Sequence, residues 1–213
     1  MTHPEQKSKF EVSGVIIEPV LKSDKIMDVV HVHVNITDTY NGQVCKYYTR
    51  FLRPQSTTYL EVVAPSWPTY MRIGSTEENR DGERQYRADL TNTIHGALNL
   101  ATTRRITQLG IPVICGKDPL LTTRTVAQEV LVRTILDAMI DKATVKDSTL
   151  KNIFILCRDR DEQNSMIRHL KELIIETREA IELHKIMSDN NNNSDKKIQT
   201  NARLQQMRTL LEL

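Results

Sequence analysis

Apolar residues in this chain follow two rhythms, short unbroken runs and longer stretches at helical spacing. Ile111-Pro112-Val113-Ile114-Cys115 and Ile153-Phe154-Ile155-Leu156-Cys157 are runs of the first kind, and Thr125 to Ile140 between them has the second. Strand, helix, strand in that order predicts a βαβ unit with parallel strands and a right-handed crossover. Neither run alternates with polar residues, so both strands are expected to be covered on both faces. In sheets of this kind ligands sit beyond the carboxyl ends of the strands. That places any small-molecule site at the loop Cys115 to Arg124.

The rest of the chain is read the same way. Phe10 to Val20 predicts a strand, with Pro19 ending its regular pairing. Asp28 to Asn35 is dominated by β-branched residues and predicts another. Asn41-Gly42 is turn chemistry before a strand at Gln43 to Phe51, which suggests a hairpin. Tyr59 to Ala64 is a further strand, after which Pro65 and Pro68 hold Trp67 in a rigid exit loop. Gly74 to Glu83 is polar and mobile in character. A helix is expected from Tyr86 to Leu109, with Leu90, Ile94, Leu98 and Ala101 on one face and Gly110 as its stop. A second long helix carries Met166, Leu170, Leu173, Ile174, Thr177 and Ile181. The alternation predicts a three-layer α/β/α domain with a mixed sheet over residues 10–187, after a flexible arm at 1–9. Residues 188–195, with four consecutive asparagines, read as a disordered linker, and 196–213 as an amphipathic helix with Leu204, Met207 and Leu211 on one side. That tail either folds back on the domain or binds a partner.

Composition narrows the class. A formal charge of +2 gives no electrostatic case for nucleic acid or for an anionic membrane. There is no apolar run of about 18 residues, and Thr2 to Lys9 has no signal-peptide pattern. Cys45, Cys115 and Cys157 are odd in number and far apart, so they read as reduced thiols of a cytoplasmic or nuclear protein.

From Val12 to Leu170 the succession of elements resembles the macro domain, the ADP-ribose-binding fold. Asp28 to Asn35 sits where that family has Asp-Ala-Ile-Val-Asn-Ala-Ala-Asn, and keeps the first Asp and the last Asn. Tyr59-Leu60-Glu61-Val62-Val63-Ala64-Pro65-Ser66-Trp67 is similar to the family stretch ending in Val-Gly-Pro-x-Trp. The departures fall on the ligand cradle. Ile36-Thr37-Asp38-Thr39-Tyr40-Asn41-Gly42 leaves no room for the family's first glycine-rich phosphate segment and its helix. Cys115 to Arg124 has one glycine and contains Pro119, which lacks an amide donor. Glu18-Pro19-Val20-Leu21 stands near the place of the family's Gly-Asp-Ile-Thr.

Two functional readings follow. In the first, the protein is a non-catalytic binding or scaffolding module acting through protein partners, with the ADP-ribose cradle largely lost. In the alternative, it is an ADP-ribose reader or ADP-ribosyl hydrolase, with Asn35 at the ribose and Gly116, Lys117, Thr122, Thr123 and Arg124 around the phosphates. Asn35 read on its own is a strand-end turn residue, and Lys117 and Arg124 either meet an anion or form a solvated rim. His31 and His33 share a strand face, but no third ligand lies close in sequence and no metal is expected. Cys115 precedes a helix start yet has no histidine nearby, which favours an inert thiol. No cofactor motif and no catalytic set can be assembled.

Overall fold

The computed structural model describes residues 8–24, 26, 28–37, 45–52, 55–66, 76–114, 121–142 and 149–190. Seven strands, β1 (Phe10–Val12), β2 (Val15–Leu21), β3 (Val30–Thr37), β4 (Cys45–Leu52), β5 (Gln55–Pro65), β6 (Gln108–Pro112) and β7 (Asn152–Cys157), form one mixed sheet in the order β1-β2-β7-β6-β3-β5-β4. Only the outer pairs β1/β2 and β4/β5 are antiparallel. The helices are α1 (Thr76–Thr103), α2 (Leu121–Lys142) and α3 (Arg160–Asn190). The mixed-sheet α/β architecture expected from the sequence is the one observed, and β6-α2-β7 is the predicted parallel unit.

Burial explains why the helices stand where they do. Leu131, Ile135 and Met139 of α2 are fully buried, and its Val126, Val130, Val132 and Leu136 are nearly so, because α2 lies between α1 and α3 on the sheet. Arg87 of α1 ties Glu83 and Glu129 at 2.8 and 3.0 Å, and Ser165 of α3 donates to Gln128 of α2 at 2.8 Å. Among the described residues all three helices thus share one face. On that face Ile17, Leu60, Val62, Leu109, Ile111, Ile153 and Ile155 are sealed. On the opposite face Phe154 and Asn152 are only half-buried, so the covering expected on both sides of β7 is not complete there. The chain leaves β2 through a turn, the Asp24 amide donating to the Leu21 carbonyl at 2.9 Å, and Val29 stands against Gly110 on that face.

Several local expectations are corrected. Phe10 to Val20 is split by a two-residue turn with positive φ at Ser13 and Gly14, the geometry of a tight hairpin. Pro19 does not end the pairing but stays in register with Ile155. Its carbonyl accepts from Gln163 outside the sheet, so the missing N–H also faces away from β7. β3 and β4 are not a hairpin: β4 pairs with β5, and β5 runs parallel to β3. The stretch after Gly74 is not mobile throughout, since α1 already begins at Thr76. That helix ends at Thr103, closed by Arg105 at φ 53 and by the Ile106 amide on the Ala101 carbonyl. Gly110 is a strand residue instead, where a Cβ would stand 3.1 Å from His31 Nδ1 and Val29 Cγ1. At the other end α3 runs to Asn190, three residues into the range read as a linker. Residues 191–213, the arm at 1–7, Trp67 and Cys115 lie outside the described residues. Among the described residues no helix is long and apolar enough to cross a membrane.

Candidate functional site

Beyond Val30 and His31, β3 no longer pairs with β6, and its remaining residues pair with β5 alone. The chain leaves β6 toward β7 on one side and β3 toward β4 and β5 on the other. Such a reversal of direction at the carboxyl edge is where open α/β sheets receive ligands. Two groups of candidate residues stand on its two banks.

Arg124 is on the first bank, in the opening turn of α2. It is half-buried, and its Nε is buried with no hydrogen-bond partner among the described residues. Its charge reaches Asp159 at the end of β7. The Asp159 carboxyl is held below the usual range chiefly by the Glu162 amide that donates to it, then by Arg158, with Arg124 a smaller contributor. Glu162, itself buried, accepts from the Arg158 amide at 2.6 Å, so α3 starts in a reciprocal cap. Gly116 and Lys117 lie outside the described residues, and of Thr122 and Thr123 only the main chain, within α2, is described.

Asn35 is on the second bank. It is exposed, and its Nδ2 donates to Glu61 Oε1 of β5. Two residues earlier His33 lies against Tyr59, ring centroids 4.6 Å apart and tilted by 58°. His31, half-buried on the same face, has its pKa lowered by burial first and then by His33 and Lys22. Among the described residues no group of three His, Cys, Asp or Glu side chains is placed to hold a metal ion. Cys157 is buried, and desolvation, with Glu162 and Asp159 behind it, pushes its thiol up to about 12. It is not a nucleophile near neutral pH.

The structure therefore places Asn35 within β3, which stays paired to Thr37, so it is not a strand-end turn residue, and Arg124 in the opening turn of α2, both toward the carboxyl edge of the sheet. Sequence reasoning missed Glu61 and Asp159. An acidic residue inside the apolar run Leu60-Glu61-Val62-Val63 was the available signal for the first. A groove of about 370 Å³ runs along one flank of α3, lined by residues such as Asp161, Arg168, Lys171 and Glu172. It carries two acidic and two basic side chains, and it includes neither Asn35 nor Arg124.

No protein-family model matches the chain, and no curated protein matches it in sequence. Solved structures do. An asparagine-to-alanine mutant of the Oceanobacillus iheyensis macrodomain has a TM-score of 0.57 at 13% identity, covering 79% of this chain and 93% of that one. A glycine-to-valine mutant of the same macrodomain with ADPR gives 0.56 at 14% identity, covering 78% and 97%. The macrodomain with ADP gives 0.56 at 14%, covering 79% and 96%. At such identity the likeness concerns the fold, and the fold of this chain is macro-domain-like.

Proposed function

We propose that the protein is a non-catalytic binding module whose ligand is an ADP-ribosyl group, taken up at the carboxyl edge between β3 and β6. The observation that carries this reading is Arg124. Arg124 is half-buried in the opening turn of α2 beside that edge, its Nε has no hydrogen-bond partner among the described residues, and a guanidinium so placed suits a phosphate. Asn35 on the opposite bank supplies the polar group for a sugar. That macrodomains of the same fold were solved with ADPR and with ADP supports the class of ligand. The non-catalytic part rests on the described side chains: Cys157 is protonated and sealed, and the Asn35 amide is engaged by Glu61. A ligand at a hundred times its dissociation constant adds about 2.7 kcal/mol of stability. ADP-ribose is therefore expected to raise the thermal midpoint, and protein-linked ADP-ribose to be bound without turnover.

A second reading, the protein-interaction scaffold, is favoured by the sheet face on which no described helix packs and by Ile16, an exposed apolar residue there. It predicts no thermal shift with ADP-ribose. It also predicts loss of a protein partner when Ile16 is replaced by a charged residue.

A further inference from the structure

We propose that the protein self-associates through β4, which pairs antiparallel with the β4 of a second copy about a two-fold axis at Thr49 and so joins two sheets into one. In the sheet order β4 stands last and pairs with β5 alone, while the opposite edge is the three-residue β1. An antiparallel partner uses alternate residues of a strand. Among the described residues, every second N–H and C=O along the eight residues of β4 therefore has no strand to pair with. Such an edge is a template for another strand unless it is short, bulged or broken by proline. Cys45-Lys46-Tyr47-Tyr48-Thr49-Arg50-Phe51-Leu52 holds no proline or glycine and three aromatic residues, and its register with β5 runs without a bulge from Cys45↔Val62 to Leu52↔Gln55.

The two cations of the strand choose the register. A two-fold axis across an antiparallel pair sets one residue opposite its own copy. Axes at Tyr48 and at Thr49 give the longest overlaps, Cys45 to Phe51 and Lys46 to Leu52, and any other axis leaves more of the strand unpaired. With the axis at Tyr48, Lys46 faces Arg50 of the second copy at two symmetry-related places, and like charges directly opposite are destabilising. With the axis at Thr49 no cation faces a cation. Threonine then faces threonine, Tyr47 faces Phe51 of the second copy, and Tyr48 faces its Arg50. These are hydroxyl, aromatic and cation–π pairs, the kinds that hold neighbouring strands together. The same strand serves both sides, so association closes at two copies. Because the joined strands are antiparallel, the carboxyl edges of β3 in the two copies point in opposite directions, and the pair is bivalent whatever its ligand.

The test is sedimentation equilibrium of the full chain over a concentration series, with Tyr48→Lys and Tyr48→Glu beside it. The wild type is expected to pass from one chain mass to two, and no further. Tyr48→Lys sets a cation opposite Arg50 twice and is expected to weaken the dimer roughly ten-fold. Tyr48→Glu sets an anion there and is expected to hold the dimer as well as the wild type or better. With the axis at Tyr48 instead, Glu would face Glu and both variants would weaken association alike, which would overturn the register. Amide hydrogen exchange of the wild type needs no variant: β4 amides are expected to slow as concentration rises, and those of β1 are not. A chain that stays at one mass throughout, or a dimer whose β4 amides exchange as in the monomer, would overturn the proposal.

Discussion

Replacing Arg124 should make the protein more stable and less able to bind. Its Nε is buried and has no partner among the described residues, and a buried donor left without a partner costs about 1–3 kcal/mol. Methionine keeps the apolar stem and puts no donor at that position. Lysine likewise places a methylene where Nε stood but keeps the cation at its tip. What both variants alter is the attraction to Asp159, which is exposed and solvent-screened, so it offsets only a small part of the gain. The net expectation is a stabilisation of about 1 kcal/mol, or roughly 2–4 °C in Tm for a chain of this size. Urea unfolding of the wild type, Arg124→Met and Arg124→Lys reads this as a higher midpoint at unchanged slope. Arg124→Lys should retain part of any affinity for a phosphate-bearing ligand, and Arg124→Met none. A loss of more than about 1 kcal/mol in both variants would mean that Nε is satisfied in the folded protein, and the reasoning about the first bank would fail.

Other expectations follow from single contacts. Leu98→Ala, at a fully buried α1 position, should cost about 2–5 kcal/mol in urea unfolding, whereas a cost under about 1 would contradict the packing of α1 on the sheet. Gly110→Val should lose about 1–3 kcal/mol, since even its Cβ meets His31 and Val29 at 3.1 Å, and a wild-type midpoint would refute that close approach. His31 has a lowered folded pKa, so the unfolded chain binds the proton more readily. Its contribution is present above the unfolded value of 6.5 and is lost as pH falls through the folded value. His31→Gln should accordingly flatten the decline in stability between about pH 7.5 and pH 5, and an unchanged slope would count against the burial of the ring. Cys157 should resist thiol reagents at pH 8 until the protein unfolds, because its thiol is pushed up to about 12, and rapid labelling of the native protein at this residue would show it accessible.

What could be read in advance was whatever depends on local pattern. The unbroken apolar runs around Ile111 and Ile153 announced adjacent parallel strands, and the burial of α2 nearly all round follows from its lying between two helices and the sheet. Pairing partners far apart in sequence were a different matter. Asn41-Gly42 has the chemistry of a tight turn, but whether β3 pairs with β4 or with β5 is settled by which strand can bury Leu60, Val62 and Ala64 beside Val32. The start of α1 was hidden because Thr76-Glu77-Glu78-Asn79-Arg80-Asp81 has no apolar residue to mark a helical face. Pro19 misled because its effect on a strand depends on which way its main chain faces, and only the Gln163 contact shows that.

The candidate site divides in the same manner. Asn35 was singled out by its match to the last asparagine of the family strand, and Arg124 by its place near a helix start. The partner of Asn35 lies 26 residues away on a strand two places later in the chain, and no spacing rule reaches it. That the Arg124 Nε has no hydrogen-bond partner among the described residues is a property of packing, which only coordinates reveal.

The most direct test of the account is calorimetric titration of ADP-ribose into the full chain, with Asn35→Ala and Arg124→Met as controls. The account predicts binding on the order of micromolar, about −8 kcal/mol, weakened in both variants. Absence of heat up to millimolar ligand, in a sample that unfolds cooperatively, would contradict it and leave the macro-like fold as a scaffold for protein partners.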